Sequence, residues 1–231
     1  MDVLIKAASE IFDRTNIAIN KVVVIHCVPG AGKSTFIRQL LKQDQRFVCR
    51  TLGAADPANL ACRGIEAFDP EEHFDKGKIL ILDEYTAAET LPEGFTVLFG
   101  DPVQARQNFK EPHFICELTK RFGRSTCELL NTFGFEIRSE KEDIATVDSL
   151  YTRDPVGEVI AVGEEITKLL ISHGLKPRCA NEVRGSTFKT VTVYLEDSDI
   201  TPQKRQEIYV ALTRHTEEIL ILTPDATFGP S

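Results

Sequence analysis

Residues 28 to 35 read Val-Pro-Gly-Ala-Gly-Lys-Ser-Thr, a spacing of glycine, lysine and hydroxyl side chains that suits phosphate binding. Glycines let successive backbone N–H groups curl around phosphate oxygens, and a following helix adds the partial positive charge of its N-terminus. Lys33 would reach the β- and γ-phosphates, and the Ser34 hydroxyl would ligate Mg²⁺. We therefore predict a nucleoside triphosphate site formed by Pro29, Gly30, Ala31, Gly32, Lys33, Ser34 and Thr35. Cys27 departs from the usual pattern, which has its first glycine at that position.

Two further polar clusters follow apolar runs, as expected where buried strands end. Asp83 and Glu84 come directly after Lys78-Ile-Leu-Ile-Leu82. Asp83 would hold the Mg²⁺ shell, and Glu84 would orient or deprotonate the attacking water. Gln104, in Gly-Asp-Pro-Val-Gln, carries both a donor and an acceptor and suits sensing of the γ-phosphate. The alternative for each cluster is an ordinary acidic or Gly/Pro turn after a strand.

The elements around these clusters alternate between strand and helix, which predicts an α/β fold with parallel sheets. In the first half, strands are expected at 21–26, 47–52, 78–82 and 96–99, and a helix at 34–42. In the second half, strands are expected at 158–162, 190–194 and 219–222, and helices at 125–133 and 202–212. Residues 63–77 and the charged segment 138–148 suggest loops. Ligands bind at the carboxyl ends of strands in such sheets, so the three polar clusters should converge there.

The composition excludes several classes of protein. The chain has 231 residues, of which 42% are hydrophobic and 27% charged, enough for one large or two small domains. No apolar run approaches the ~20 residues of a transmembrane helix. A net charge of −8 argues against coating nucleic acid by bulk electrostatics, although a local basic groove remains compatible with it. Six cysteines without metal-ligand spacing suggest reduced thiols: Cys27, Cys49, Cys62, Cys116, Cys127 and Cys179.

The order of the polar clusters resembles motifs I, II and III of superfamily 1 helicases: Gly-Lys-Ser, then Asp-Glu, then Gly-Asp-Pro-x-Gln. Later segments resemble motifs IV, V and VI, namely Thr-Lys-Arg-Phe at 119–122, Val-Arg-Gly-Ser-Thr-Phe at 183–188 and Val-Ala-Leu-Thr-Arg at 210–214. The resemblance covers residues 22 to 222. It is most specific for the first triple-gene-block movement proteins of filamentous plant RNA viruses, through local features at 51–53, 82–86 and 111–114.

This resemblance implies a minimal superfamily 1 helicase core, a P-loop NTPase made of two RecA-like parallel-sheet lobes. Domain 1 would span residues 1–116 and contain the phosphate and magnesium sites. Its residues 1–20 are predicted to form an N-terminal helix, because apolar residues there repeat at helical spacing: Val3, Leu4, Ala7, Ala8 and Ile11. Domain 2 would span 117–231 and supply Arg121 and Arg214 as arginine fingers, which stabilise charge on the departing γ-phosphate. A surface cation is the alternative for Arg121, and a cation near a helix C-terminus is the alternative for Arg214.

The same resemblance implies contacts with RNA. Thr51 and Gly53 would touch the nucleic-acid backbone, and Gly185 and Thr187 would lie between the nucleotide and the RNA. The implied cofactors are ATP and Mg²⁺. The implied partners are single-stranded or viral genomic RNA, viral coat and membrane-bound movement proteins, and a second copy of the chain.

The implied role is ATP-dependent movement of viral RNA from cell to cell, in the host cytoplasm and at plasmodesmata, with suppression of host RNA silencing. Two rivals remain open. A small-molecule P-loop kinase would explain residues 28–35 but not the 100–104 cluster together with Thr213-Arg214. A non-enzymatic RNA-binding scaffold with a degenerate nucleotide site would fit Cys27 and the acidic net charge.

Overall fold

Two parallel β-sheets form the framework of the chain, one in each of two structural units. In the computed structural model, residues 1–57, 63–105 and 109–230 are described. The contacts between Cα atoms divide the chain after Glu117, so the first unit begins at Met1 and the second at Leu118. Each unit has its own sheet and its own core.

The first sheet has the strand order β1-β7-β2-β6-β5-β3-β4, and every pair except β1/β7 is parallel. Its strands are β1 (Asp13–Arg14), β2 (Val23–Cys27), β3 (Phe47–Thr51), β4 (Ile65–Ala67), β5 (Ile79–Asp83), β6 (Val97–Gly100) and β7 (Phe114–Cys116). The helices are α1 (Asp2–Ser9) and α2 (Lys33–Gln43), with 3₁₀ turns at Tyr85–Ala87 and Pro102–Gln104. The predicted strands and the α2 helix are confirmed to within a few residues, whereas β4 falls in a segment expected to be a loop.

Apolar packing on the first sheet explains why its central strands are continuous apolar runs. Every residue of β2 is buried, as expected for a strand covered on both faces. One buried cluster joins strands β2, β5 and β6 with the turn that follows β5, and comprises Val24, Leu80, Leu82, Tyr85, Phe95 and Leu98. The carboxyl ends of β2, β6 and β5 therefore lie side by side on one firmly packed edge.

The N-terminal segment departs from the helix predicted within residues 1–20. Helix α1 ends at Ser9, and Asp13-Arg14 instead pairs antiparallel with β7. Phe12 is buried, with its ring 4.9 Å from that of Phe36 and 6.5 Å from that of Phe99. The Arg14 guanidinium donates to the His113 carbonyl at 2.7 Å. These contacts with the sheet require extended backbone at 13–14, so they override the helical apolar spacing of the first residues.

The second sheet has the strand order β10-β14-β13-β11-β12, and all its pairs are parallel. In the second unit the strands are β8 (Leu118–Thr119), β9 (Arg138–Ser139), β10 (Ile144–Ser149), β11 (Glu158–Val162), β12 (Arg178–Cys179), β13 (Phe188–Leu195) and β14 (His215–Thr223). Strands β8 and β9 form a separate parallel pair. The helices are α3 (Arg124–Thr132), α4 (Glu164–Ser172) and α5 (Arg205–Leu212). The predicted strands β11, β13 and β14 and helices α3 and α5 are confirmed.

Strand β10 corrects the expectation of a charged loop at 138–148. It pairs with β14 along its whole length but occupies the edge of the sheet, so its side chains stay partly exposed. An edge strand can carry polar residues because only one of its sides is covered by a neighbouring strand. The polar composition therefore conceals the strand from a search for apolar runs.

Helix α4, which is absent from the predicted elements, packs against the second sheet through Ile166 and Leu170. Its N-cap is Gly163, which has no side chain to accept from the first turn. Glu196 performs this role, since one carboxylate oxygen accepts from the N–H groups of Glu165 at 2.6 Å and Ile166 at 3.3 Å. The other oxygen accepts from Lys204 at 2.5 Å. A carboxylate thus satisfies the positive end of this helix.

The composition predicts a chain without a transmembrane helix and with reduced cysteine thiols. Within the described ranges, no helix has the length and apolar character that crossing a membrane requires. The five cysteines in the same ranges are free thiols, and Cys62 lies outside the described residues.

Gly100 is the last residue of β6, and a substitution there tests how tightly the carboxyl ends of the strands in the first sheet are packed. An added Cβ would lie 2.9 Å from the ring of Tyr85 and 2.8 Å from the methyl group of Thr86, both of which are buried. We expect Gly100→Ala to lower the free energy of unfolding by about 1–3 kcal/mol, measured by urea denaturation. Gly229→Ala is the control, because no heavy atom lies within 4 Å of its added Cβ. Its effect should stay within about 0.5 kcal/mol, and an equal loss in both variants would contradict the packing argument.

Candidate nucleotide and nucleic-acid site

The predicted phosphate loop joins the buried strand β2 to helix α2. Gly30 and Gly32 have φ of 81° and 93°, a left-handed conformation that favours glycine. Gly32 is the N-cap of α2, so the first N–H groups of the helix, including that of Lys33, face the loop. Phe36 and Ile37 bury the inner face of α2 and fix its direction. The chain thus presents a helix N-terminus at the carboxyl edge of a parallel sheet, a geometry that binds anions.

Lys33 is held between the two acidic residues that follow β5. Its ammonium lies 2.8 Å from Asp83 Oδ1 and also contacts Glu84 Oε1. The side chains of Lys33 and Asp83 are 14% and 6% exposed, so water screens this pair weakly. Burial would lower the pKa of Lys33, but Asp83 and Glu84 together raise it well above its usual value. Burial raises the pKa of Asp83, with a further contribution from Glu84.

The backbone of Glu84 is unusual, because its φ of 56° places a non-glycine residue in the left-handed region. Such a conformation costs about 1–2 kcal/mol and persists only where its surroundings enforce it. Here it turns the chain from β5 into the 3₁₀ turn at Tyr85–Ala87 while Glu84 contacts Lys33. A Cβ added to Gly53 would lie 3.0 Å from Glu84 Cγ, so Gly53 makes room for this side chain.

Asp101 and Gln104 lie in the turn after β6, the strand between β2 and β5. Asp101 is 3% exposed, and its carboxylate accepts from Gln104 Nε2 at 2.8 Å and from the Val103 N–H at 3.0 Å. Burial raises the pKa of Asp101 to about 6, with the negative charge of Glu84 contributing and Lys33 opposing. The three clusters predicted to converge therefore influence one another electrostatically at one edge of the sheet.

Tyr85 and His26 are buried next to this edge of the sheet. Neither residue is predicted from the sequence to have a role there. Tyr85 is fully buried, and its hydroxyl lies 2.7 Å from His26 Nε2. Burial lowers the pKa of His26 to about 4, so its imidazole is neutral at neutral pH. The phenolic oxygen in turn accepts from the Lys110 N–H at 3.2 Å. The feature of the sequence that could have pointed to Tyr85 is the run Asp-Glu-Tyr-Thr, in which it directly follows the two acidic residues.

The residues at this edge fit a nucleotide-bound magnesium ion. Within the described ranges, no group of three or more His, Cys, Asp or Glu side chains is placed to hold a metal by itself. Mg²⁺ at nucleotide sites needs only one or two protein ligands, because phosphates and water complete its octahedron. Asp83 offers a buried carboxylate, and Ser34, the second residue of α2, offers a hydroxyl.

Thr51 and Gly53, predicted to contact the RNA backbone, lie at the carboxyl end of β3. Thr51 is 2% exposed, and its hydroxyl accepts from the Gly53 N–H at 2.9 Å and lies 3.5 Å from Asp83 Oδ2. In this conformation the Thr51 hydroxyl is directed towards Asp83. Contacts of RNA with Thr51 and Gly53 stay predictions.

In the second unit, the two predicted arginine fingers meet at Thr213. Arg121 Nη1 donates to the Thr213 carbonyl at 2.9 Å, and Arg214 Nη2 donates to the Thr213 hydroxyl at 2.9 Å. Arg214 Nε also donates to the Val210 carbonyl at 2.8 Å, so this guanidinium is anchored to the end of α5. Arg214 is 3% exposed, and its bond to Val210 also fits the alternative of a cation near a helix C-terminus, so its role as an arginine finger stays a prediction.

Gly185 and Thr187 lie in the turn before β13, and both are exposed. Gly185 has a φ of 78°, which explains the need for glycine in this turn. The Phe188 N–H donates to the Arg214 carbonyl at 2.8 Å, so this segment runs directly beside Arg214. These residues therefore gather at the amino edge of the second sheet, whereas those of the first unit gather at a carboxyl edge.

Comparisons with known proteins agree with this geometry. A family model described as the viral superfamily 1 RNA helicase core domain matches residues 23–223. The movement and silencing protein TGBp1 of Poplar mosaic virus is 45% identical over 232 residues, covering 100% of both chains. That of Chrysanthemum virus B is 43% identical over 230 residues, covering 99% of both chains.

Solved helicase structures share the fold. A complex of Arterivirus nonstructural protein 10 (helicase) with DNA has a TM-score of 0.64 at 19% identity, covering 88% of this chain and 61% of that chain. The PRRSV helicase has a TM-score of 0.64 at 19% identity, covering 96% of this chain and 55% of that chain. The present chain thus spans little more than half of each of these helicase chains.

The family match extends over most of the chain, and the two relatives match it along nearly their whole length. The chain belongs to the viral superfamily 1 RNA helicases, within the group of triple-gene-block movement and silencing proteins.

Proposed function

We propose that this chain hydrolyses ATP with Mg²⁺ in an RNA-dependent reaction. The observation that carries the proposal is the contact of Lys33 with both Asp83 and Glu84 beside a phosphate-loop helix. A lysine, a magnesium carboxylate and a candidate base at one sheet edge are the groups that phosphoryl transfer to water needs. Small-molecule kinases share the loop, but the family match and the Asp101–Gln104 cluster favour the helicase type.

Triphosphate binding would redistribute the contacts of Lys33. Its ammonium would bind β- and γ-phosphate oxygens, which releases Glu84 to accept a proton from the attacking water. Ser34 and Asp83 would hold Mg²⁺, which when bound neutralises negative charge on the β- and γ-phosphates. Gln104, positioned by Asp101, would sense the γ-phosphate.

Arg121 and Arg214 would stabilise the charge that develops as the γ-phosphate leaves. We propose that nucleotide binding draws domain 2 (117–231) towards domain 1 (1–116) so that both guanidinium groups reach it, and that hydrolysis reverses this motion. Thr51 and Gly53 would contact the RNA backbone, and Gly185 and Thr187 would lie between the nucleotide and the RNA. These contacts would couple the cycle to movement of the strand.

The biological role that we propose follows the names of the full-length relatives. The chain would move viral RNA from cell to cell through plasmodesmata and suppress host RNA silencing, acting in the host cytoplasm. Viral coat protein, membrane-bound movement proteins and a second copy of the chain are the proposed partners besides RNA.

A phosphate-release assay with and without single-stranded RNA tests the activity. We expect ATP hydrolysis that rises when RNA is added. Release of phosphate only in the presence of a small acceptor would instead identify a kinase. No release at all would favour the non-enzymatic RNA-binding scaffold, for which Cys27 and the net charge of −8 are the supporting observations.

Lys33→Ala should abolish hydrolysis and also weaken the fold. A lysine in a glycine-rich loop is expected to be exposed and to have no structural role, but the Lys33 side chain is only 14% exposed. Removing it leaves the Asp83 carboxylate buried without its cation, which should cost about 3 kcal/mol at neutral pH. Turnover should fall at least a hundredfold, measured beside the unfolding free energy.

The pH dependence separates the two effects of Lys33→Ala. Burial raises the pKa of Asp83 and Lys33 opposes this rise, so removing Lys33 should raise the pKa further and make the folded variant bind a proton more tightly than folded wild type does. Stability falls with rising pH wherever the folded state binds more protons, so the deficit against wild type should be smaller near pH 5 than near pH 8. A deficit independent of pH would contradict the buried ion pair.

Arg214→Ala should separate nucleotide binding from hydrolysis. The phosphate loop lies in the first unit, so affinity for a non-hydrolysable ATP analogue should stay within about threefold of wild type. Turnover should fall by at least a hundredfold, since arginine fingers contribute about 10³ to 10⁵ in rate. Arg178→Ala, which removes a partly exposed arginine of the same unit, is the matched control and should keep normal turnover. Turnover within threefold of wild type in Arg214→Ala would remove this residue from the reaction.

RNA binding should be sensitive to salt and largely independent of sequence. Contacts to phosphates release counterions, so affinity should fall steeply between about 50 and 200 mM salt. Lys189 and Lys168 form a matched pair, since both are exposed and each makes surface ion pairs with glutamate. Lys189, two residues after Thr187, should reduce the salt slope by about 1 when changed to Ala, whereas Lys168→Ala should not. Equal slopes in both variants, or a ~100-fold preference for one sequence, would contradict backbone tracking at this edge.

A further inference from the structure

His215 follows Arg214 directly, and the proposed chemistry gives it no role. The side chains of His215 and Asp143 are both completely buried, and His215 Nε2 lies 3.0 Å from Asp143 Oδ2. Thr126 Oγ1 lies 3.1 Å from the same nitrogen. The other ring nitrogen, Nδ1, is buried and has no hydrogen-bond partner among the described residues.

The charge of Asp143 determines which nitrogen of His215 carries a proton. Burial opposes ionisation, but hydrogen bonds from His215, Thr126 and the Gly123 N–H lower the pKa of Asp143 to about 2. The carboxylate is therefore ionised throughout the physiological range and needs donors. His215 supplies one through Nε2–H, because its other nitrogen has no partner to compete for the proton.

The same pair touches the segment that carries Arg121. The ring of His215 lies 5.7 Å from the ring of Phe122, the residue after Arg121. Asp143 accepts from the Gly123 N–H, and its own backbone N–H would lie 2.4 Å from a Cβ added at Gly123. The loop bearing Arg121 is therefore seated directly on Asp143.

On its other side, His215 directly follows Thr213 and Arg214 in the chain. Arg121 and Arg214 both donate to Thr213, and the Thr213 hydroxyl donates to the Tyr209 carbonyl at 2.9 Å. The backbone of His215 is paired with Phe188 in the sheet. The Asp143–His215 bond therefore ties together the loop at 121–123 and the segment at 213–215, from which the two guanidinium groups extend.

We propose that His215, through its Nε2–H bond to Asp143, is a positioning residue that holds Arg121 and Arg214 as one unit for the reaction at the γ-phosphate. The inference rests on the proposed function for its consequence in turnover, but the joint positioning is a property of the second unit alone. His215 itself touches neither nucleotide nor RNA.

Three variants of His215 distinguish its donor from its bulk. His215→Gln can place an amide donor near the position of Nε2, His215→Asn reaches only as far as Nδ1, and His215→Phe keeps a ring but leaves Asp143 without this donor. We expect His215→Phe and His215→Asn to lower kcat at least tenfold, with affinity for a non-hydrolysable ATP analogue within twofold of wild type. His215→Gln should recover kcat to within threefold of wild type.

Leu170→Ala is the control for a loss of stability without loss of the donor. Leu170 is a buried residue of α4, in a cluster that contains none of the residues of this network. Assayed well below its unfolding temperature, this variant should keep a kcat close to that of wild type. Equal kcat losses in His215→Gln and His215→Phe, or a kcat of His215→Phe within threefold of wild type, would overturn the proposal.

Hydrogen–deuterium exchange tests the joint positioning without turnover, so it decides the point even if the wild-type chain hydrolyses no ATP. In His215→Phe, or in His215→Asn if the Phe variant does not fold, exchange should accelerate both in 119–126 and in 210–216. His215→Gln and Leu170→Ala should leave both segments as in wild type. Acceleration in only one of the two segments, or in neither, would show that the pair does not hold the two arginines together.

Discussion

The contact of one buried lysine with two carboxylates is the interaction on which the candidate site depends. Lys33 begins α2 after β2, Asp83 is the last residue of β5 and Glu84 follows it, but β6 lies between these strands in the sheet. Two strand spacings amount to about 10 Å, so the loop after β2 and the long side chain of Lys33 together have to cross this distance. β6 ends at Gly100, where an added Cβ would meet the buried Tyr85 and Thr86 of the turn that follows β5.

The other features of the first unit follow from that crossing. Glu84 reaches Lys33 from a left-handed backbone, and Tyr85 is buried beneath it with its hydroxyl bonded to His26. The first sheet can carry this arrangement because its central strands are packed apolar runs.

The charges of Lys33, Asp83 and Glu84 compensate one another only partly, since one ammonium faces two carboxylates. If this edge binds a triphosphate as we propose, the surplus negative charge would call for magnesium and for further cations, the role that we propose for Arg121 and Arg214.

Much of the first unit could be predicted from sequence because its signals are local. An apolar run, a glycine-rich turn and an amphipathic helix place residues 28–35, and a buried strand places Asp83 and Glu84. The left-handed Glu84, the His26–Tyr85 bond and the burial of Thr51 could not be predicted, since each depends on a neighbouring strand distant in sequence. The polar edge strand β10 and the strand β1 at Asp13–Arg14 could not be predicted either, because each forms by pairing with a strand that is distant in sequence. In the second unit the motifs could be found, but their meeting at Thr213 depends on tertiary structure.

The capping of α4 limits where in this chain a phosphate group could bind. In α/β folds a helix N-terminus at the carboxyl end of a strand is where a phosphate group would bind, and α4 follows β11 in that way. Glu196 fills this position with its own carboxylate and is itself held by Lys204. An entering phosphate at this helix would have to displace a charge that is part of the chain. Both units contain a parallel sheet, but the N-terminus of α4 in the second unit is already capped by a carboxylate of the chain. The nucleotide that we propose would therefore bind at the N-terminus of α2 in the first unit and not at α4.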